Sequence, residues 1–218
     1  MGNTILASGS PRRKQLLEWA EVPFEIIVRD TPETFPPGMS VIDVPVHIAR
    51  NKALAVYAVA EPGRIVIAAD TVVVLGEEII GKPRDRDDAV QILTRLAGQR
   101  HEVITGVVLL RGSRTGAQGS GAPTEAGLAS KTEGRGRPGG REEQAFADVT
   151  SVWFHDLTRA EIEGYVDRYK PYDKAGAYAI QEWIGVVGIQ KIEGDFYNVM
   201  GLPVSRVVRA LKKWQAIP

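Results

Sequence analysis

The chain contains no cysteine, which excludes a disulfide framework and any thiolate metal site. Its three histidines, His47, His101 and His155, are dispersed without an H-x-x-x-H spacing, so each is read as structural. No run of about 18 apolar residues is available to span a bilayer, and the first residues lack a secretory apolar segment with a cleavage site. A charge excess is missing too: 27 Lys and Arg face 27 Asp and Glu, so no global positive field draws the chain to nucleic acid or a membrane. No G-x-x-x-x-G-K-[ST] segment occurs, which disfavours a P-loop kinase. The expectation is a cytoplasmic protein without nucleic-acid or membrane partners, in which any anion site is local. What remains is ordinary, 218 residues with 44% hydrophobic and 25% charged side chains, enough to bury a core.

Against that background, residues 5–17 stand out. Ile5, Leu6 and Ala7 read as the end of a buried strand, Ser10 as a helix N-cap and Pro11 as the first helical residue. Free backbone N–H groups and the positive end of the helix dipole would meet Ser8, Ser10, Arg12 and Arg13 at one point, an arrangement that suits a phosphate group. Asp70 is the second signal. It interrupts the apolar run Ala68-Ala69-Asp70-Thr71-Val72-Val73-Val74, where a charge costs several kcal/mol unless it is exposed at a site, paired, or bound to a cation. A carboxylate projecting into a cleft could hold a divalent cation or draw a proton from water. Glu33 in its polar loop is a weaker candidate. Lys52 borders the apolar face of a helix, Lys82 lies in Ile80-Gly81-Lys82-Pro83, and Lys174 in Asp173-Lys174-Ala175-Gly176; converging lysines would neutralise a phosphate chain as point cations.

Strands and helices alternate along the chain. Strands are expected at 24–28, 64–75, 102–110 and 146–154, and helices at 40–60, 87–96 and 204–214, with a Thr158/Glu161 capping box opening another. The strand at 64–75 reads as buried on both faces. Residues 112–144 interrupt the pattern with nine glycines and one large aliphatic, Leu128. Such a stretch cannot build a core and is expected to be a flexible hairpin insertion in a single domain spanning 1–218. Arg135-Gly136-Arg137 suggests a nucleic-acid arm, but no aromatic is present there for base stacking.

Six blocks in order, Ser8-Gly9-Ser10-Pro11-Arg12-Arg13, Ala69-Asp70-Thr71-Val72, Gly81-Lys82-Pro83, His101 to Val107, Asp173 to Gln181 and Asn198 to Pro203, resemble the Maf family of nucleoside triphosphate pyrophosphatases. The resemblance implies an α/β fold of the Maf and ITPase-like kind. That fold is an elongated, twisted mixed sheet flanked by helices, with two lobes around a central cleft. It also implies a divalent metal, Mg²⁺ or alternatively Mn²⁺, and a possible homodimer. By the same resemblance Asp70 matches the catalytic proton acceptor, Ser8, Arg13, Lys52 and Lys82 match phosphate-binding positions, and Glu33 with Asp70 would hold the metal. Arg12, Thr71 and Gln181 match base-selecting positions and resemble the subgroup acting on dTTP and UTP; a Gln amide can pair with both N3–H and O4 of uracil or thymine. A branch preferring methylated purine nucleotides, and a non-catalytic nucleotide-binding regulator of septation, are the alternatives. Ala179 stands where the family often has glycine, which would shift the Gln181 loop if that position required a positive φ.

Overall fold

The computed structural model describes residues 4–112 and 140–217. Seven strands form one mixed sheet: β1 (Thr4–Leu6), β2 (Phe24–Ile26), β3 (Ile65–Leu75), β4 (Glu78–Ile80), β5 (Arg100–Gly112), β6 (Arg141–Phe154) and β7 (Ile189–Glu193). Their order is β2-β1-β3-β5-β6-β7, with β4 returning against β3. The first three strands are parallel, as crossovers through α1 (Pro11–Trp19) and α2 (Asp43–Tyr57) require, and the others pair antiparallel. Further helices are α3 (Arg86–Leu96), α4 (Arg159–Tyr169), α5 (Trp183–Gly188), α6 (Phe196–Met200) and α7 (Val204–Lys213), with a 3₁₀ turn at Ala175–Ala177.

The period-two alternation of β3 divides the core. Val66, Ala68, Val72 and Val74 face α2, where they meet Val44, Ile48, Ala49, Ala53 and Val56. Ile65, Ile67, Ala69 and Val73 face the other layer, with Leu16 and Leu17 of α1, Leu93 and Leu96 of α3, and Val207 and Leu211 of α7. Both faces are covered, and hence the strand reads as continuously apolar. The α2 backbone comes close to the sheet over Gly106 of β5, where any Cβ would overlap Pro45 and Val46.

Several expected bounds shift. The second strand stops at Ile26, and α2 starts at Asp43 because Ser40 first turns the chain, its carbonyl accepting from the Asp43 and Val44 N–H groups. Strands β5 and β6 run further than their apolar residues, to Gly112 and from Arg141, because the ladder continues through polar pairs such as Arg111 with Glu142. The two ends of the glycine-rich stretch are therefore strand; the rest of that expected insertion, 113–139, lies outside the described residues. The capping box at Thr158 and Glu161 is present. Among the described residues, no helix is long and apolar enough to cross a membrane.

Candidate active site

Strand β1 lies between β2 and β3, and the connections β1-α1-β2 and β2-α2-β3 cross on opposite faces, α1 packing on one side of the sheet and α2 on the other. Such a switch point opens a crevice beyond the carboxyl ends of the strands. Here β1 pairs with Ile65–Ile67 of β3, β4 pairs with Val73–Leu75, and between them no strand covers the same edge at Ala68–Val72. The cleft, about 390 Å³, occupies that window. Because it opens on the sheet edge, side chains from both faces reach it: Asp70 from the α2 face and Thr71 from the other.

Asp70 is buried, and its partner comes from α2. Lys52 Nζ donates to Asp70 Oδ1 at 2.7 Å and to Glu33 Oε1 at 2.7 Å, while Lys82 Nζ reaches Glu33 Oε2 at 3.1 Å. Burial would raise the Glu33 pKa, but the hydrogen bonds and charges of Lys52 and Lys82 hold it down to about 2. Two carboxylates thus already share one cation. Hard oxygen ligands of this kind suit a divalent ion. No group of three or more His, Cys, Asp or Glu exists among the described residues to enclose one, so such an ion would complete its shell with water and substrate oxygens.

The loop after β1 carries the opposite charge. Pro11 occupies the first turn of α1 as expected, but the Ser10 hydroxyl makes no capping bond; instead the Ser10 N–H donates to Ser8 Oγ at 3.3 Å. Ser8 Oγ also accepts from Arg13 Nη1 at 3.1 Å, leaving its own proton for the cleft. Arg13 donates further from Nε to the Gly201 carbonyl at 2.8 Å and from Nη2 to Thr71 Oγ1 at 3.1 Å. Burial lowers the guanidinium pKa and Asp70 opposes that shift; arginine remains charged throughout. Arg12 lies 3.5 Å from Asp173.

Ser8, Arg12, Arg13, Glu33, Lys52, Asp70, Thr71 and Lys82 all line the cleft; Gln181 is exposed and lies outside its wall. The loop before Gln181 takes its positive φ at Gly176 and Ala177, so alanine at 179 introduces no strain of that kind. Lys174 also lines the cleft, almost fully buried, 2.8 Å from Asp173 and 3.6 Å from Glu182. The sequence groups this lysine with Lys52 and Lys82 as a cation for a phosphate chain; in the structure its partners are Asp173 and Glu182. Missed altogether was the Gly201 carbonyl, a backbone group whose role no side-chain pattern reveals.

The Maf-like protein family model matches residues 3–214. A protein of Cytophaga hutchinsonii is 42% identical over 209 residues, covering 96% of this chain and 83% of its own, and a protein of Bacillus cereus is 40% identical over 214, covering 98% and 96%. Both are named dTTP/UTP pyrophosphatase. The Ham1 protein of Staphylococcus aureus overlaps at a TM-score of 0.39 with 14% identity, over 70% of this chain and 72% of its own, too loosely to bear on function. With the match running from the first strand to the last helix and taking in every side chain of the cleft, the chain belongs to the Maf-like family.

Proposed function

We propose that the protein hydrolyses the α–β phosphoanhydride of dTTP and UTP, releasing pyrophosphate and leaving the nucleoside monophosphate. One observation carries this reading: a single buried carboxylate, Asp70, sits in a cleft whose other charged walls are mostly cationic, in a chain whose relatives carry that activity in their names. Arg13, Lys52 and Lys82 bind the phosphate oxygens and offset their charge, and Ser8 donates its free hydroxyl proton. Binding a triphosphate gives the two lysines new partners in place of Glu33 and Asp70. Water then attacks the α-phosphorus, the bond to the bridging oxygen breaks, pyrophosphate leaves, and Asp70 accepts the water's proton. Asp70 and Glu33 would hold a divalent cation, Mg²⁺ in preference to Mn²⁺. When bound, that ion would supply Lewis-acid neutralisation and lower the pKa of its water.

Base selection falls to Arg12, Thr71 and Gln181. Gln181, exposed beside the cleft, would select a base by turning its amide onto the N3–H and O4 edge of a bound nucleotide. A homodimer in the cytoplasm completes the proposal; light scattering and cell fractionation check these two parts.

The test is pyrophosphate release from a panel of canonical and modified nucleoside triphosphates, with Mg²⁺ or EDTA, by wild type and Asp70→Asn. Metal-dependent release from dTTP and UTP is expected, reduced at least about 100-fold by the substitution, and Gln181→Ala is expected to flatten the ratios among bases. Equal rates in Asp70→Asn, or a preference for methylated purines, would overturn the reading.

A further inference from the structure

Two sequence blocks, those around Thr105 and Asn198, place their polar residues off the cleft wall. Both residues are fully buried, at 0% exposure, where a hydroxyl and a carboxamide are costly unless bonded. Thr105 lies opposite Thr71 in the β3–β5 register, and its Oγ1 is 2.9 Å from Thr71 Oγ1 and 3.0 Å from the Asn198 carbonyl. Proton positions along this line are forced. A carbonyl only accepts, so Thr105 gives its single proton to Asn198; Thr71 must then donate to Thr105, and the Thr71 oxygen is left to accept from Arg13, which only donates. At the far end Asn198 Nδ2 gives both its protons, to the Val103 carbonyl at 3.0 Å and to Thr150 Oγ1 at 2.9 Å, while its Oδ1 accepts from no described residue. From Asn198 the chain runs on through α6 to Gly201, whose carbonyl takes the Arg13 Nε proton. The hydrogen bonds and the backbone from Asn198 to Gly201 together close a ring that returns to the same guanidinium.

We propose that Thr105 and Asn198 are positioning residues for Arg13, acting through Thr71, in a one-way relay that fixes the guanidinium's orientation in the cleft. The proposal rests on the phosphate-binding role proposed for Arg13. It also defines what Thr71 can offer a nucleotide: its proton is committed inward, so it presents only a lone pair and a methyl group to the cleft.

The experiment compares Thr105→Val, which keeps the shape and removes the hydroxyl, with Thr105→Ser, which restores it. Loss of a hydrogen bond that orients a charged group is expected to lower kcat/KM for UTP about 10-fold in Thr105→Val, with Thr105→Ser within about two-fold of wild type. In an Arg13→Gln background the Thr105→Val change is expected to cost nothing further, since the group it positions is gone. An undiminished loss in that background, or a serine variant as impaired as valine, overturns the proposal. If Thr105→Val fails to fold, Thr105→Ala takes its place in the same cycle. A readout independent of turnover is the Arg13 Nε–H proton resonance in the substrate-free protein. Slow solvent exchange is expected in wild type and Thr105→Ser and fast exchange in Thr105→Val; equal exchange in all three overturns the relay. Wild type inert toward every nucleotide would instead overturn the proposed function, with the relay still judged by that resonance.

Discussion

The two faces of β3 place a polar side chain in the same apolar strand by different means. On the α2 face, Asp70 is balanced by full charges on long side chains: Lys52 spans Asp70 and Glu33, and Lys82 adds a second cation to Glu33. On the opposite face, Thr71 accepts from the Arg13 guanidinium and donates to Thr105, whose proton goes on to the Asn198 backbone carbonyl, so behind Thr71 a line of short neutral groups has one permitted direction. Ammonium groups on flexible stems can change partners at small cost, whereas a buried chain of neutral hydrogen bonds cannot rearrange without leaving a group unpaired. One side is built to exchange partners when an anion arrives, the other to hold still while it does so.

Removing Lys52 breaks the comparison most severely. Lys52→Met is expected to lower kcat/KM about 100-fold and to let the Glu33 pKa climb from about 2 toward its ordinary value, read by carboxylate NMR titration. Solvent exchange of the Arg13 Nε–H should stay slow, since no relay residue touches Lys52; fast exchange would mean that the two faces are coupled beyond the charge that Asp70 exerts on Arg13.

A smaller effect comes from the seat of α2. Gly106→Ala puts a methyl group against the Pro45 and Val46 backbone and is expected to cost about 1–3 kcal/mol. At about 2–4 °C per kcal/mol for a chain of this size, thermal melting should fall by several degrees. Activity should fall further than stability explains, because the helix that must lift carries Lys52.

The smallest effect tests the rigid face by pH. Burial pushes the His101 pKa down to about 4, and its Nε2 lies 2.8 Å from the Tyr178 hydroxyl. Unfolded, the imidazole takes a proton near 6.5, so between about 4 and 6.5 the unfolded chain binds more protons than the folded one. The stabilising contribution is complete above 6.5 and is lost as pH falls toward 4. Melting temperature measured across that window should decline in wild type and decline less in His101→Gln.

Much of the sheet was legible in the sequence because β3, β5 and β6 are long enough to show their pattern, and α2 and α3 carry clear apolar periods. The short pieces β4, β7, α5 and α6 run three to six residues, less than a pattern needs to declare itself. In the candidate site the same divide appears. Asp70 announced itself as a charge in an apolar run, and Arg13 as a cation at a helix start. Thr105 gave a fainter version of the Asp70 signal, a hydroxyl among aliphatics, and its partner Asn198 is 93 residues away. Ser10 is the N-cap residue as its place before Pro11 implies, but its hydroxyl makes no capping bond, a detail of side-chain geometry that residue type alone does not carry.

The uncovered edge of β3 between β1 and β4 turns strand length into a ruler. Five residues, Ala68–Val72, separate the two pairings, a span of about 16 Å at roughly 3.3 Å per residue. Lengthening β1 or β4 by one paired residue would shorten that opening by one step and no less. The dimension of the opening is thus set in whole residues by where two neighbouring strands stop, and it can change in evolution without any change to the side chains that line it.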